Sequence, residues 1–428
     1  MTHDTPLVAT IVVGLCLAFA LGLLAHRLRL PPLAGYLLAG VVIGPFTPGY
    51  VADQHLATQL AELGLILLMF GVGMHFSPGD LMSVRSIAVP GAVGQIAVAT
   101  AAGLGLGLAL GWPAGASLIF GLSLSVASTV VLLRALQDRD LVSSDRGRIA
   151  VGWLIVEDLA MVIALVLVPP FSQMLGGDAV PVAVSQTVTG LLPGVPPVWL
   201  ALGLTILKVA AFVLLMLVVG RRVIPALLHH VAYTGSRELF RLAVLAIALG
   251  VAFASAEFFD VSFALGAFFA GMVMAGSTLS AQAMKETLPL RDAFAVLFFV
   301  SVGMLFDPGI LVREPLAVLA TVAVIVLVKS VAAYGIVRAF GHGRDTAFTI
   351  SASLAQIGEF SFILIVMGVT LGIVPQEAQA LVVAGALISI LVNPVLFALL
   401  DRREARKRAA QPADETPGAG PDDESGGA

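Results

Sequence analysis

The sequence contains few charged residues and a single cysteine, and each scarcity excludes a class of protein. Charged side chains make up 12% of the 428 residues, whereas hydrophobic ones make up 59%. A typical soluble domain has about a quarter of its residues charged, so the composition excludes that class. Cys16 is the only cysteine, which excludes an intrachain disulfide and a metal site built from several cysteines. The composition therefore indicates an integral membrane protein.

Apolar runs of membrane-spanning length occupy most of the chain and predict about thirteen spans. The predicted fold class is an all-α polytopic membrane protein, with a transmembrane domain over residues 1–400. Residues 401–428 are polar and are predicted to form a disordered cytoplasmic tail. The predicted spans cover residues 7–25, 31–47, 56–75, 87–110, 114–134, 150–170, 197–219, 240–257, 262–277, 293–306, 316–337, 347–371 and 375–400.

Lysine and arginine are distributed unequally between the loops of this arrangement. With thirteen spans, 20 of the 23 basic residues lie on the side that carries the C-terminal tail, and only Arg313 lies on the other side. Basic loops remain on the cytoplasmic side of a membrane. The sequence therefore predicts a multi-pass protein of a bacterial-type inner (plasma) membrane, with its N-terminus outside and its C-terminus in the cytoplasm.

Two sequence segments recur at nearly the same distance along the chain. The segment "VGMHFSPGDL" at 72–81 returns as "VGMLFDPGIL" at 302–311, with seven of ten positions identical. The segment "GYLLAGVVIG" at 35–44 similarly matches "GAFFAGMVMA" at 266–275. The offsets of 230 and 231 residues equate spans that are seven apart, and an odd shift reverses the direction of the copy. Chance similarity between glycine-rich apolar runs is the alternative.

These matches predict an inverted repeat of two six-helix halves. The first half covers about 7–170, the second about 240–400, and a linker helix at about 197–219 joins them. Secondary transporters are often built from such repeats and bind their substrate near the membrane midplane between broken helices.

The repeat also indicates where helices are broken. An offset of 230 carries the polar patch "SLSVAST" at 123–129 onto "SLAQIGE" at 353–359. Unwound backbone at such patches exposes half-helix ends whose partial charges can face an ion. Alternatively, small polar residues simply allow close helix packing. Because the two patches are related by the repeat, we predict two broken helices.

Adjacent acids occur near the middle of the sixth predicted span, in "VEDLAM". Glu157 and Asp158 follow Arg148 by nine and ten residues, so at about 1.5 Å per residue both lie about 14 Å deep in a ~30 Å core. Lys329 precedes Arg338 by nine residues on a span of opposite direction and reaches the same depth. An acid and a lysine at one level suggest an ion pair.

A single lysine is not expected to satisfy both acids, because adjacent helical residues point about 100° apart. One acid pairs with Lys329 in this interpretation, and the other binds a proton or a small cation in turn. Competition of this kind at one carboxylate is the minimum that exchange requires. A buried ion pair that only holds helices together is the alternative.

Several segments together resemble the cation:proton antiporter-2 family, and within it the Kef-type potassium/proton antiporters. They are the "VEDLAM" span, "AELGLILLMFGVGMHF", "SRELFRLAVLAIALG", "LGAFFAGMVMAG", "FFVSVGMLFDP" and "ASLAQIGEFSFIL", and the resemblance extends over nearly all of 7–400. It implies a homodimer in which a core domain moves against a dimerisation domain in an elevator-like mechanism. The implied activity is exchange of a monovalent cation, K⁺ or Na⁺, for H⁺.

The same resemblance implies roles for individual residues. Asp158 takes the place of the carboxylate that binds the cation and the proton, Glu157 the neighbouring place and Lys329 that of the basic partner. Four further residues take places at the crossing of the broken helices: Ser128, Thr129, Gln356 and Glu359.

The chain departs from Kef-type relatives after residue 400, where they usually continue into a Rossmann-type nucleotide-binding domain. The last 28 residues contain no GxGxxG pattern. Gating by a nucleotide of that kind is therefore not assumed. For the antiporter as a whole we expect no cofactor, no enzymatic activity and no nucleic acid partner. The expected partners are a monovalent cation, protons, membrane lipid and a second copy of the chain. A potassium efflux channel-like conduit and a non-transporting scaffold or sensor remain as alternative functions.

Overall fold

The computed structural model describes residues 6–28, 30–75, 78–137, 139–141, 144–177, 197–259 and 261–410, and the regular secondary structure in this part of the chain is helical. The first half contains α1 (Pro6–Arg27), α2 (Pro32–Ile43), α3 (Gln54–His75), α4 (Pro78–Ala109), α5 (Ala114–Leu124), α6 (Thr129–Gln137) and α7 (Asp145–Phe171). Helix α8 follows, comprising Pro197–Leu215, the π-helical segment Met216–Gly220 and Arg221–Ala232.

The remaining helices repeat the order of the first seven with small changes. They are α9 (Arg237–Phe259), α10 (Phe263–Ala275), α11 (Ser280–Met304), the short α12 (Ile310–Arg313), α13 (Pro315–Ala339, with a π-helical segment at Val324–Val328), α14 (Arg344–Leu354), α15 (Glu359–Thr370) and α16 (Gln376–Ala410).

The all-helical membrane fold predicted from the sequence is confirmed. Nine helices of the described chain are long and apolar enough to cross a membrane, and the bent pair α14 and α15 forms a tenth such unit. Helices α2, α5 and α10 are apolar but have only 12, 11 and 13 residues. At 1.5 Å per residue, each is shorter than a ~30 Å hydrocarbon core. The count of thirteen spans therefore stays a prediction.

The ends of α4 and α13 show the repeat in the backbone itself. Gly111 has φ +84° and Gly341 has φ +83°, and the two residues are 230 positions apart. The next amides close equivalent turns, from Trp112 to Gly107 O at 3.0 Å and from His342 to Val337 O at 3.2 Å. Glycine terminates a helix in this way because it adopts the left-handed conformation without a steric penalty.

Helices of the two halves of the chain contact each other closely at glycine residues. A Cβ added to Gly40 of α2 would lie 2.0 Å from Val300 O of α11. The repeat-related Gly271 of α10 makes the same contact, where a Cβ would lie 2.1 Å from Phe70 O of α3. Because both glycines face backbone oxygens, a larger residue would force the helices apart.

The reciprocal glycines of the two "VGM" segments complete these interfaces. A Cβ on Gly73 of α3 would lie 2.2 Å from Phe268 O, and one on Gly303 of α11 would lie 2.1 Å from Leu37 O. The recurring glycines of the sequence therefore lie where α3 contacts α10 and where α11 contacts α2. These contacts support the division into two inverted halves, which remains a prediction.

The last helix extends past the boundary predicted at residue 400. Helix α16 continues to Ala410, so the polar segment that follows Leu400 begins as helix rather than as a disordered tail. Good helix formers such as alanine, arginine and lysine dominate residues 402–410, which explains the continuation. Residues 411–428, the rest of the predicted tail, lie outside the described residues.

We predict that Gly40→Ala and Gly271→Ala each lower the free energy of unfolding by at least about 1–3 kcal/mol, because the added methyl group meets a backbone oxygen that cannot move independently. Thermal unfolding of the purified protein measures the loss. Gly335→Ala in α13 is the matched control, since an added Cβ there meets nothing within 4 Å. Equal melting temperatures for Gly40→Ala and Gly335→Ala would contradict the packing described.

Candidate ion-binding site

Two helices are interrupted at positions related by the repeat, which confirms the predicted broken helices. Residues 125–128 separate α5 from α6, and residues 355–358 separate α14 from α15, which meet at an angle of 42°. The two breaks cross at repeat-related residues, since a Cβ on Gly358 would lie 2.5 Å from Ser128 Cα. Only glycine at position 358 permits so close a crossing.

Gln356 connects the two breaks through its side-chain amide. Its Oε1 accepts a hydrogen bond from Ser128 N at 2.9 Å, and its Nε2 donates to Ser128 O at 3.1 Å. Nε2 also donates to Ser353 O at 3.3 Å. One neutral side chain thus pairs the amide of Ser128, which the interrupted helix leaves without a helical partner, and shares the carbonyl oxygen of Ser128 with Leu132 N.

The acids Glu157 and Asp158 reach the first break from α7. Glu157 Oε2 accepts a hydrogen bond from Ala127 N at 2.9 Å, and Asp158 Oδ2 accepts one from Thr129 Oγ1 at 3.0 Å. The two carboxylates diverge because consecutive helical residues point about 100° apart. Each therefore bonds to a different residue, Glu157 within the break and Asp158 at the first residue of α6.

Ser128 connects α6 with the second break. Its Oγ accepts a hydrogen bond from Val131 N at 3.3 Å, as an N-cap residue does. The same hydroxyl lies 3.3 Å from Glu359 Oε2, in the first turn of α15. The structure thus brings the predicted site residues of the two breaks into one hydrogen-bonded group.

Burial distinguishes this group from the rest of the described chain. Among the described residues, the buried charged side chains are Glu157, Asp158, Lys329 and Glu359, and each lies at the crossing. Asp158 retains an exposed fraction of 7%, whereas Glu157 has none. Asp158 Oδ1 and Glu157 Oε1 have no hydrogen-bond partner among the described atoms. Asp158 therefore has a buried carboxylate oxygen without a partner among the described atoms, on the less completely enclosed of the two side chains.

Lys329 reaches the second break from α13, but it does not form the ion pair predicted from the sequence. Its fully buried Nζ donates to Gln356 O at 2.9 Å. No described carboxylate lies within 4.0 Å of this nitrogen, so Lys329 and Glu157 interact electrostatically only at longer range. The carbonyl group of Gln356 and the amide of Ala127 compete for the two charged groups, because buried backbone groups at a break require partners.

The placement of these two charges follows the polarity of the half-helices. Lys329 contacts a carbonyl that follows the C-terminal end of α14, where the helix dipole is negative. Glu157 contacts an amide that precedes the N-terminal end of α6, where the dipole is positive. Both charges are therefore stabilised by backbone dipoles as well as by each other.

Two buried amides at the crossing were not identified from the sequence. Gln95 Nε2 on α4 donates to Ser125 O at 2.9 Å, and Asn393 Nδ2 on α16 donates to Ala352 O at 2.8 Å. The available signal was an amide side chain within an otherwise apolar span, since such a group needs a partner inside the protein.

Comparison with known proteins gives a match to the family described as sodium/hydrogen exchanger, transmembrane, over residues 13–400. The chain is 60% identical over 407 residues to the putative cation/proton antiporter YbaL of Escherichia coli (strain K12), covering 95% of this chain and 70% of that protein. It is 31% identical over 399 residues to K(+) efflux antiporter 4 of Arabidopsis thaliana, covering 93% of this chain and 64% of that protein.

Among solved structures, the fold is similar to that of the sodium proton antiporter MjNhaP1 from Methanocaldococcus jannaschii. The TM-score is 0.65, with coverage of 93% of this chain and 98% of that chain. The sequence identity is only 15%, so this similarity concerns the fold alone.

We predict that Lys329→Met destabilises the protein and that Glu157→Gln reduces the loss when the two changes are combined. The first change leaves buried carboxylates without their cationic neighbour, and the second removes one of the unbalanced charges. Thermal unfolding of the four proteins of the double-mutant cycle should give a coupling of about 1–3 kcal/mol. Glu377→Gln, at an exposed acid of α16, is the control partner. A coupling no larger with Glu157→Gln than with Glu377→Gln would contradict the electrostatic interaction.

Proposed function

Because the chain belongs to the transmembrane sodium/hydrogen exchanger family, we propose that it is a secondary active transporter that exchanges a monovalent cation, K⁺ or Na⁺, for H⁺. The observation that carries the proposal is the environment of Asp158. This buried carboxylate lies at the crossing of two broken helices, with one oxygen bonded to Thr129 and the other without a partner among the described atoms.

The chemistry of exchange follows from the energy of a buried charge. An ionised carboxylate in the membrane interior costs several kcal/mol unless a proton neutralises it or a cation binds to it. These two ways of compensating Asp158 exclude each other at the same oxygen. Binding of the cation therefore releases the proton, and binding of the proton releases the cation.

Neighbouring oxygens would complete the cation site in this proposal. Alkali cations, like other hard cations, prefer oxygen ligands. Thr129 supplies a hydroxyl group bonded to Asp158, and the adjacent Ser128 supplies one bonded to Glu359. Glu157 keeps the cation attracted to the site while its own oxygen holds Ala127 N.

Supporting residues would keep this site in shape. Gln356 bonds the two breaks together, and Lys329 fixes the carbonyl group of the second break. Glu359, bonded to Ser128, adds a carboxylate from the other half of the crossing. The two breaks are thus one unit that can move together.

Movement of this unit provides alternating access in the proposal. We infer an elevator-type mechanism, in which the crossing carries Asp158 between the two faces of the membrane, within a homodimer whose C-terminus is cytoplasmic. The bonds between Gln356 and Ser128 support movement of both breaks as one body. The names of the relatives point to different cations, potassium for the plant protein and sodium for the archaeal one.

We predict that Asp158→Asn abolishes cation-dependent proton movement in proteoliposomes, with a loss of about 100-fold or more, because asparagine carries no exchangeable proton. A pH-sensitive dye inside the vesicles measures the exchange after addition of K⁺ or Na⁺ in separate arms. Asp145→Asn, at a side chain that is 90% exposed, is the matched control and should retain the wild-type rate. Undiminished exchange by Asp158→Asn would contradict the proposal and favour the scaffold alternative.

Exchange is distinguished from conduction in the same vesicles. With the membrane potential clamped at zero, a cation gradient should still drive protons in the opposite direction. A channel-like conduit would instead dissipate the cation gradient without moving protons.

A further inference from the structure

The helix pairs α4–α5 and α13–α14 are built in the same way in the two halves. Where α5 meets α4, a Cβ on Gly121 would lie 2.3 Å from Thr100 O. The residues 230 positions later are Ser351 and Ser330, and there Ser351 Oγ donates to Ser330 O at 3.0 Å. Helix α4 thus stands beside the first break as α13 stands beside the second.

Each of these neighbouring helices donates one hydrogen bond to a carbonyl group of its break. Gln95 of α4 reaches Ser125 O, and Lys329 of α13 reaches Gln356 O, both at 2.9 Å. The repeat relates position 95 to position 325, one helical turn before Lys329, and relates Ser125 to the residue before Gln356. The two donors therefore lie at nearly equivalent positions of the repeat, but one is a neutral amide and the other an ammonium group.

We propose that Gln95 is a positioning residue that sets the cation affinity of the Asp158 site, as the neutral counterpart of Lys329. The inference rests on the exchange function proposed above. Gln95 is fully buried. Its Nε2 must face Ser125 O, because only the nitrogen of the amide group can donate a hydrogen bond to a carbonyl oxygen.

Gln95 affects both acids because the carbonyl that it bonds is only a few residues from their hydrogen-bond donors. Ser125 is two residues from Ala127, which holds Glu157, and four residues from Thr129, which holds Asp158. Fixing Ser125 O therefore positions the two residues from which the acids accept hydrogen bonds, Ala127 through its amide and Thr129 through its hydroxyl group. Without that bond, the buried carbonyl would be unsatisfied at a cost in free energy, and the backbone of the break would shift to reach another donor.

The neutrality of Gln95 matters as much as its hydrogen bond. Three buried carboxylates, those of Glu157, Asp158 and Glu359, face one buried lysine at the crossing. Any of these carboxylates that is ionised attracts a cation. An ammonium at position 95, matching Lys329, would make the crossing more symmetric and would compete with the transported cation.

Two substitutions separate the hydrogen bond from the charge. Gln95→Met keeps the length of the side chain but removes the donor, and Gln95→Lys keeps a donor but adds a charge. We expect Gln95→Met to lower the melting temperature and to weaken cation binding about tenfold or more. We expect Gln95→Lys to unfold nearer to the wild-type temperature while also binding the cation about tenfold or more weakly.

Binding is measured by the rise in melting temperature of the purified protein on titration with K⁺ or Na⁺, because a ligand of the folded state stabilises it according to its concentration and affinity. Apparent KM and maximal rate in proteoliposomes give an independent measure. Ser117→Ala is the control for a purely structural effect, since it removes a part-buried hydrogen bond from α5 to the carbonyl of Pro113, just before α5 and at the end remote from the break. It should lower stability without changing cation affinity.

Unchanged cation affinity in Gln95→Met would overturn the positioning role, and unchanged affinity in Gln95→Lys would overturn the requirement for neutrality. If Gln95→Met does not fold, Gln95→Asn, whose shorter side chain withdraws the amide donor from Ser125 O, tests the positioning role in its place, and unchanged cation affinity there would overturn it. The proposed function fails separately, through exchange that survives in Asp158→Asn.

Discussion

Interrupted helices in a membrane domain leave backbone amide and carbonyl groups that have to be satisfied by other parts of the chain. No bulk water is present in a hydrocarbon core to bond with them, and each unsatisfied group costs several kcal/mol. In this protein the donors and acceptors come from Glu157, Gln356, Lys329 and Gln95. The buried charges therefore have a structural reason to be where they are.

One consequence is that Asp158 differs from its neighbour although the two are adjacent in sequence. Glu157 bonds to a backbone amide, so its loss of charge would leave that amide with a weaker acceptor. Within the described part of the chain, Asp158 bonds only to the hydroxyl group of Thr129, which can donate or accept as required. A carboxylate held by a hydroxyl can change between a protonated and a cation-bound state with little change in the backbone.

The repeat made much of this architecture predictable from the sequence. An offset of 230 placed the second break once the first polar patch was recognised, and both breaks lie within the predicted patches. The repeat is visible in the sequence because equivalent helices of the two halves pack through the same small residues, as the contacts of Gly40 and Gly271 show. The helical continuation to Ala410 was missed because a polar composition was interpreted as disorder.

The partners of buried side chains were harder to predict. Counting residues along a helix places Lys329 and Glu157 at one depth, but depth alone does not reveal which backbone groups lie between them. The carbonyl group of Gln356 and the amide of Ala127 become available only when the helices break and cross. The role of Gln95 was not predicted for the same reason, because the carbonyl of Ser125 becomes available as its acceptor only where the helix is broken.

Competition between a proton and a cation for one carboxylate is tested most directly by proton release from the purified protein. Addition of K⁺ or Na⁺ to weakly buffered wild-type protein should acidify the solution in a saturable manner, and Asp158→Asn should release no protons. Cation binding without proton release in the wild type, or equal release by Asp158→Asn, would contradict the account.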